Sequence, residues 1–264
     1  MRRSKYLICF FILLFVLPDL SAQKMPGQII TDRPDITESA STVPRGYLQI
    51  ENGFLFEKHR IDDVLLSGEI HNYTFSAMLI RYGLLKNVEL RLGENYLFQK
   101  TRIGNSENSL TGISDFLAGT KIQLLEEDLN YIDLGVIVQF HLPIGNEVLR
   151  PESTESELLI AFAKSLNDDF SFSGNIGTYR SSNPGRFIYL YSGSVGIKLN
   201  DDWGAFTEIY GSVPSGGKIN FMYDLGFSYL PVANLQLDFS VGMDSITNAG
   251  DWFAGAGISL RLPH

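Results

Sequence analysis

Cysteine is almost absent from this 264-residue chain, and the single one, Cys9, lies close to the N-terminus. The remainder of the chain can hold neither a disulfide nor a thiolate metal site. Histidine is scarce too, with four in the chain. No pair of them has ligand spacing and no dense carboxylate cluster replaces them, so neither a metal nor a cofactor is expected. Positive charge is in deficit, since 21 Lys and Arg face 30 Asp and Glu, and this balance speaks against nucleic acid as a partner. Long apolar runs are missing: residues 6–17 form the longest, below the roughly 20 residues that a membrane-spanning helix needs.

That run comes after Met1-Arg2-Arg3-Ser4-Lys5 and before Leu20-Ser21-Ala22. A basic start, an apolar middle and a small-residue cleavage site, in that order, describe a secretory signal peptide over residues 1–22. Cys9 sits inside the run and not at the cleavage point, so it is no lipoprotein acceptor. Removing the segment takes the basic count from 21 to 18 and the acidic count from 30 to 29, a net charge of about −11.

Alternation is what the sequence has in abundance. In residues 77–98, AMLIRYGLLKNVELRLGENYLF, two runs that switch between apolar and polar at every second position meet at Gly83-Leu84-Leu85-Lys86-Asn87, a turn short enough only for an antiparallel hairpin. Val88, Leu90, Leu92, Tyr96 and Phe98 share one face, while Glu89, Arg91, Gly93, Asn95 and Gln99 share the other. The pattern recurs to the end of the chain, giving strands at about 46–57, 69–82, 88–98, 113–125, 131–142, 157–165, 170–179, 187–199, 203–213, 221–230, 235–243 and 251–262. In the second of these, Tyr73, Phe75, Ala77 and Leu79 read as one apolar face, and parity puts Arg81 on the same side, snorkelling at the strand end.

Connections after even-numbered strands are short (83–87, 126–130, 166–169, 200–202 and 231–234), whereas those after odd-numbered strands, such as 58–68, 101–111 and 145–156, are longer and more polar. A Greek-key sandwich has no reason to alternate in this way. An outer-membrane barrel does, with tight periplasmic turns and longer external loops. The expected fold is therefore all-β: a single antiparallel up-and-down transmembrane β-barrel of about twelve strands, spanning 46–264, with an extended N-terminal segment. Aromatics near strand ends, including Tyr96, Phe98, Phe140, Tyr189, Tyr191, Trp203, Tyr229 and Trp252, suit interfacial girdles in the outer-membrane lipids.

On such a barrel the charged face is the lumen, because a charge on the lipid face costs up to a few kcal/mol near the midplane. Glu51, Glu89, Arg91, Asp115, Lys121, Asp133, Glu208, Asp224, Asp238 and Arg261 all fall there. They can form a paired network that fills and rigidifies the barrel, or line a solute path with a mild acidic bias. Twelve strands lie between filled eight-stranded barrels and open sixteen-stranded ones, so a narrow or gated passage is expected. Residues 23–45 carry Pro26, Gly27, Pro34 and Pro44 and no strand pattern. Their Asp32, Arg33 and Asp35 can fold into the lumen as a plug against Arg91 and Lys121; the alternative is a spacer that caps the barrel mouth.

Catalytic chemistry finds no support. His59, His71 and His141 have no serine two positions away on the same strand face, and His141 faces the lumen by parity. Gly216-Gly217-Lys218 has the look of a phosphate-loop fragment, but no helix comes after it, so it is a hairpin loop. The chain is not expected to be an enzyme.

Thr31-Asp32-Arg33-Pro34, Val43-Pro44-Arg45-Gly46-Tyr47-Leu48-Gln49-Ile50-Glu51-Asn52-Gly53, Leu79-Ile80-Arg81-Tyr82-Gly83-Leu84, Val88-Glu89-Leu90-Arg91-Leu92, Gly112-Ile113-Ser114-Asp115 with Gly119-Thr120-Lys121, and Leu142-Pro143-Ile144-Gly145 resemble the outer-membrane transporter family named for the MetA pathway of phenol degradation. The resemblance is good from about residue 31 to 145 and looser, through Leu235-Gln236-Leu237-Asp238, to the end. It implies a bacterial outer-membrane β-barrel that passes small, often apolar or aromatic, solutes and is inserted by the barrel assembly machinery. The ending Leu260-Arg261-Leu262-Pro263-His264 departs from the terminal aromatic that many such barrels present to that machinery. Two functions are compatible with these residues: passive or gated passage of a small-molecule solute, or a non-transporting structural or surface-interaction barrel with a filled lumen.

Overall fold

The computed structural model describes residues 27–62, 67–182, 185–217, 219–244 and 251–263. The signal peptide expected over residues 1–22, with Cys9, lies outside them, as do Pro26 and Lys218. Among the described residues twelve strands form: β1 (Tyr47–Asp62), β2 (Ser67–Leu85), β3 (Val88–Ile103), β4 (Ser106–Leu125), β5 (Asp133–Leu142), β6 (Glu155–Ser165), β7 (Phe170–Arg180), β8 (Phe187–Lys198), β9 (Trp203–Pro214), β10 (Asn220–Val232), β11 (Leu235–Asp244) and β12 (Trp252–Pro263). Each pairs antiparallel with the next, and β12 pairs with β1 from Tyr47↔Pro263 to Lys58↔Trp252, so the sheet closes into the expected up-and-down barrel. Closure leaves no strand edge to be satisfied by water, the condition that a sheet in lipid must meet.

The two faces are inverted relative to a soluble protein. Large apolar side chains such as Leu92, Phe140, Ile160, Leu225 and Phe239 are exposed on the outer wall, whereas the inner wall buries Glu51, Arg91, Lys121 and Glu208. Buried charges and an exposed apolar band are the arrangement that lipid selects outside and paired polar groups select inside.

One face assignment needs correction. The β2–β3 ladder steps from Thr74↔Leu97 to Ser76↔Tyr96, and the β1–β2 ladder from Gly53↔Ala77 to Leu55↔Thr74, so β2 carries one extra residue at Phe75. A β-bulge of this kind places two consecutive residues on one side and reverses parity beyond it. Below Phe75 the odd positions face inward, and Arg81 is therefore not a snorkelling cation on the apolar side: it is completely buried in the lumen. The loops expected at 58–68 and 101–111 also shrink. The strands of β1–β2 and β3–β4 continue through most of them, and β3–β4 turns on Gly104, whose φ is +56°, and Asn105. Polarity there reflects water on both faces and not a loss of pairing; Lys58 and Glu69, 2.7 Å apart, bridge neighbouring strands. The β4–β5 connection holds a single helical turn, Glu127–Asn130, and Tyr131, with φ +69°, delays β5 to Asp133.

The extended N-terminal segment up to residue 45, the leader, runs through the barrel from residue 27 onward. It enters at the end with the short turns, where the Ile29 amide donates to the Ala233 carbonyl at 2.7 Å and Arg261 donates to the Gly27 carbonyl at 2.6 Å. It crosses the lumen to an apex at Ile36, Thr37 and Glu38, which meet Glu208 on β9, Ser192 on β8 and Asn175 on β7. It then returns past Gln123 and Glu89 to a bridge between Arg45 and Gly83 at the same end. On the way back Ala40 packs with Ile137, Leu159 and Ala161, a small apolar cluster inside an otherwise polar lumen.

The outer face is tested at Leu225, which is exposed in the middle of β10. Leu225→Arg is expected to lower stability in lipid vesicles by about 2–4 kcal/mol, as a charge at the bilayer midplane does. Met222→Arg, directed to a wet lumen from the same strand, is expected to shift the urea unfolding midpoint far less.

Candidate functional site

The leader is held by a buried charge network to which the barrel wall and the leader each contribute. From the wall, Arg81 donates from Nε to Glu89 at 2.8 Å and from Nη1 to Glu51 at 2.9 Å. From the leader, Asp32 is 2.6 Å from Arg91, 2.8 Å from Lys121 and 3.1 Å from Arg81. Both carboxylate oxygens of Glu38 accept from Arg91 Nη2 at 2.7 Å. The wall cluster alone has three cations, Arg81, Arg91 and Lys121, against Glu51 and Glu89, one carboxylate too few; Asp32 of the leader, which touches all three cations, makes up that deficit, and Glu38 adds a second partner for Arg91. A buried cation left without its partner is costly, and breaking such a pair from one side typically costs about 3–5 kcal/mol.

The remaining sequence candidates occupy distinct places. Arg33 bonds Asp238 at 3.2 Å and lies against Gly53 and Gly257, a register pair at which any β-carbon would collide with the guanidinium. Glu208 accepts from the Ile36 amide at 2.7 Å and from the Thr37 hydroxyl. Asp224 stands opposite Glu208 in the β9–β10 register, buried, and neither of its oxygens has a hydrogen-bond partner among the described residues. Arg261 holds backbone carbonyls of the leader. Asp133 belongs to the short-turn end, where it accepts from the Glu127 amide at 3.0 Å. Asp115 lies elsewhere, on the opposite half of the lumen, 2.9 Å from His141.

Sequence reasoning did not single out Arg81, Gln49, Glu38 or Gln139. Arg81 was hidden by the bulge. Gln49, which donates to Glu51 at 2.7 Å and to the Ile30 carbonyl at 2.8 Å, alternates correctly with Glu51 and could have been found from parity alone.

Among the described residues, cavities lie on both sides of the leader. A chamber of about 640 Å³ is bounded by Ile36 and Glu38 of the leader, by Gln139 and His141 on β5, by Glu157 and Leu159 beside them on β6, and by Leu190, Tyr210 and Met222 on β8 to β10. A mouth cavity of about 370 Å³, lined by Asp115, Arg150, Glu155 and Tyr179, shares His141 with it. On the far side, a vestibule of about 360 Å³ is lined by Arg33, Pro34 and Asp35 and by the turns around Asn167 and Lys198. Successive leader residues thus face opposite compartments. Among the described residues no group of three His, Cys, Asp or Glu side chains is placed to hold a metal ion.

The fold and site together define a twelve-stranded transmembrane β-barrel whose lumen is crossed by its own N-terminal segment. Residues 31–262 match the family described as "Putative MetA-pathway of phenol degradation", and the chain belongs to that family. No curated protein matches it. Among solved structures it is similar to the COG4313 outer membrane channel from Pseudomonas putida F1, with 13% identity, a TM-score of 0.57, and 84% of this chain and 98% of that one covered. It is also similar to the translocator domain of autotransporter NalP from Neisseria meningitidis, with 9% identity, a TM-score of 0.55, and coverages of 81% and 88%. At these identities the likeness is one of fold.

The two leader aspartates differ in electrostatic setting. Burial pushes the Asp32 carboxyl up, but Arg81, Lys121 and Arg91 overcome it and hold the group well below the usual carboxylate range. Burial pushes Asp35 well above that range, and Glu208 and Asp224 add to the shift. A carboxyl raised on folding binds more protons in the folded state, so its contribution to stability falls as pH rises from its unfolded pKa to its folded one. Asp35→Asn is therefore expected to stabilise the docked leader at pH 8, with the gain over the parent shrinking as pH falls towards 4. Urea midpoints measured across that range check this, and a gain independent of pH would contradict it.

Proposed function

We propose that the protein is an outer-membrane channel for small solutes, apolar or aromatic in body, whose passage is closed at rest by the leader acting as a plug. The observation that carries this reading is the division of the lumen: Ile36 and Glu38 bound the chamber while Arg33, Pro34 and Asp35 bound the vestibule beyond it. The lipid-compatible outer wall supports the location, and the family and fold likeness to an outer membrane channel supports the activity. Outer-membrane lipids and the barrel assembly machinery are the partners that such a barrel requires. On this topology the short-turn end is periplasmic and the mouth beside Tyr179 is external.

A plug held by ion pairs and hydrogen bonds, with few apolar contacts, is suited to release where water enters the lumen and takes over its partners. The chain beyond the signal segment has no cysteine, and the Thr37 and Ser192 hydroxyl oxygens are 2.8 Å apart, so Thr37→Cys with Ser192→Cys places a thiol pair between leader and wall. In proteoliposomes the oxidised double variant is expected to block solute-driven swelling and single-channel openings, and reductant to restore both. Equal, non-zero flux in the two redox states would remove the plug, and no flux in either state would favour the structural barrel with a filled lumen.

A further inference from the structure

The outer wall has one place that lipid does not suit. Asn52 on β1 and Glu94 on β3 stand in register on either side of Met78 of β2. Their side chains point outward, because the adjoining Gly53 faces the Arg33 guanidinium in the lumen and the adjoining Gly93 faces the inward side chains of Leu79 and Leu117. Ser76, on the outer side of the β2 bulge, joins the two: its hydroxyl oxygen is 3.1 Å from Asn52 Oδ1 and 3.1 Å from Glu94 Oε1. The outward residues Ile50, Ile80 and Leu92 lie on the short-turn side of this trio and Phe54, Phe75 and Tyr96 on the external side, so it occupies the middle of the lipid-facing band. Among the described residues the strand registers put no other charged side chain in the central part of that band. A carboxylate there is costly. Ser76 relieves it only in part, since one hydroxyl hydrogen is shared between two acceptors, while the Asn52 amide still has N–H groups to donate and Glu94 a second oxygen to accept.

Lipid tails offer these groups nothing, whereas a second copy of the same wall offers what each of them needs. Two copies inserted in the same orientation are related by a two-fold axis along the membrane normal, which preserves depth and exchanges left for right across the contact. With that axis beside β2, Asn52 of one copy faces Glu94 of the other, amide donor against carboxylate acceptor, and the same contact forms a second time on the other side of the axis. Asn52 and Glu94 are two strands apart, about 10 Å, a width that suits the narrow stripe along which two convex cylinders touch. Phe54, Phe75, Leu92 and Tyr96, all exposed, surround the polar row and can exclude lipid and water from it. The complementarity is thus internal to the patch, and points to this chain itself as the occupant.

We propose that the outer wall over β1–β3 is a self-association surface, on which two copies of the chain pair side by side in the membrane through reciprocal Asn52–Glu94 hydrogen bonds. The inference concerns the outside of the barrel and is independent of what the lumen passes. The test is the dimer fraction of the protein in lipid vesicles, counted by single-molecule photobleaching over a range of protein-to-lipid ratios. The parent is expected to form dimers that dissociate on dilution with lipid. Asn52→Leu with Glu94→Leu is expected to weaken association about tenfold, the worth of two hydrogen bonds in a bilayer. The surface itself is located by thiols, since the chain beyond the signal segment has no cysteine. Ser76→Cys, next to the axis, is expected to give a disulfide-linked dimer with a membrane-permeant oxidant, whereas Ile176→Cys, exposed on β7 across the barrel, is expected to give none. A parent that stays monomeric at every ratio would overturn the proposal, as would equal cross-linking at the two cysteine positions; neither result depends on the leucine variant folding. Unchanged association of that variant, recovered as a folded barrel, would overturn it as well.

Discussion

Asp32 sits where three cations of the barrel wall converge, within 3.1 Å of Arg81, Arg91 and Lys121. Removed from water, those cations need carboxylates at close range, and Glu51 and Glu89 on the neighbouring strands are one too few. The leader completes the set. Its path is a consequence of that need: once Asp32 is fixed between β2, β3 and β4, Glu38 falls against Arg91, and the amides of Ile36 and Val43 find Glu208 and Glu89. Buried ion pairs seldom add much stability over an apolar core, but they punish any arrangement that leaves one charge alone. The network therefore specifies one position of the segment more than it stabilises the barrel as a whole.

The barrel was legible in the sequence because lipid on one side and polar packing on the other impose a two-residue period on every strand. Glu89, Arg91, Asp115, Lys121 and Glu208 could be assigned to the inner face by counting alone. Counting fails where the backbone inserts a residue: Phe75 and Ser76 share the outer side, and every residue from Ala77 to Gly83, before a second irregularity at Leu84, is reversed relative to the upper half of β2. Nothing in the local composition marks the bulge, since phenylalanine and serine both suit a strand. The lengths of β1–β4 were underestimated for a different reason, as hydropathy ceases to alternate once a hairpin rises into water on both faces.

The meeting of leader and wall was harder to read. Asp32, Arg33 and Asp35 stood out by charge and by their proline-stiffened setting, but which wall residues receive them depends on contacts between distant parts of the chain, such as Arg33 with Asp238, 205 positions apart. The glycine pair Gly53 and Gly257, which makes room for the Arg33 guanidinium, has no meaning until β1 and β12 are known to be neighbours. The chamber is similar in this respect. Gln139 and His141 are adjacent inward positions on one strand, yet the apolar side chains that share the chamber with them come from the leader and from β6, β8, β9 and β10.

The leader enters and leaves the lumen on one side, near Ala233 and near Gly83. A segment that folds back in that way has both of its limbs on one side of the barrel, held to the wall by ion pairs and hydrogen bonds and not by strand pairing. The sheet's ladder of hydrogen bonds is closed without any contribution from the segment, so the topology of the cylinder does not depend on where the segment sits.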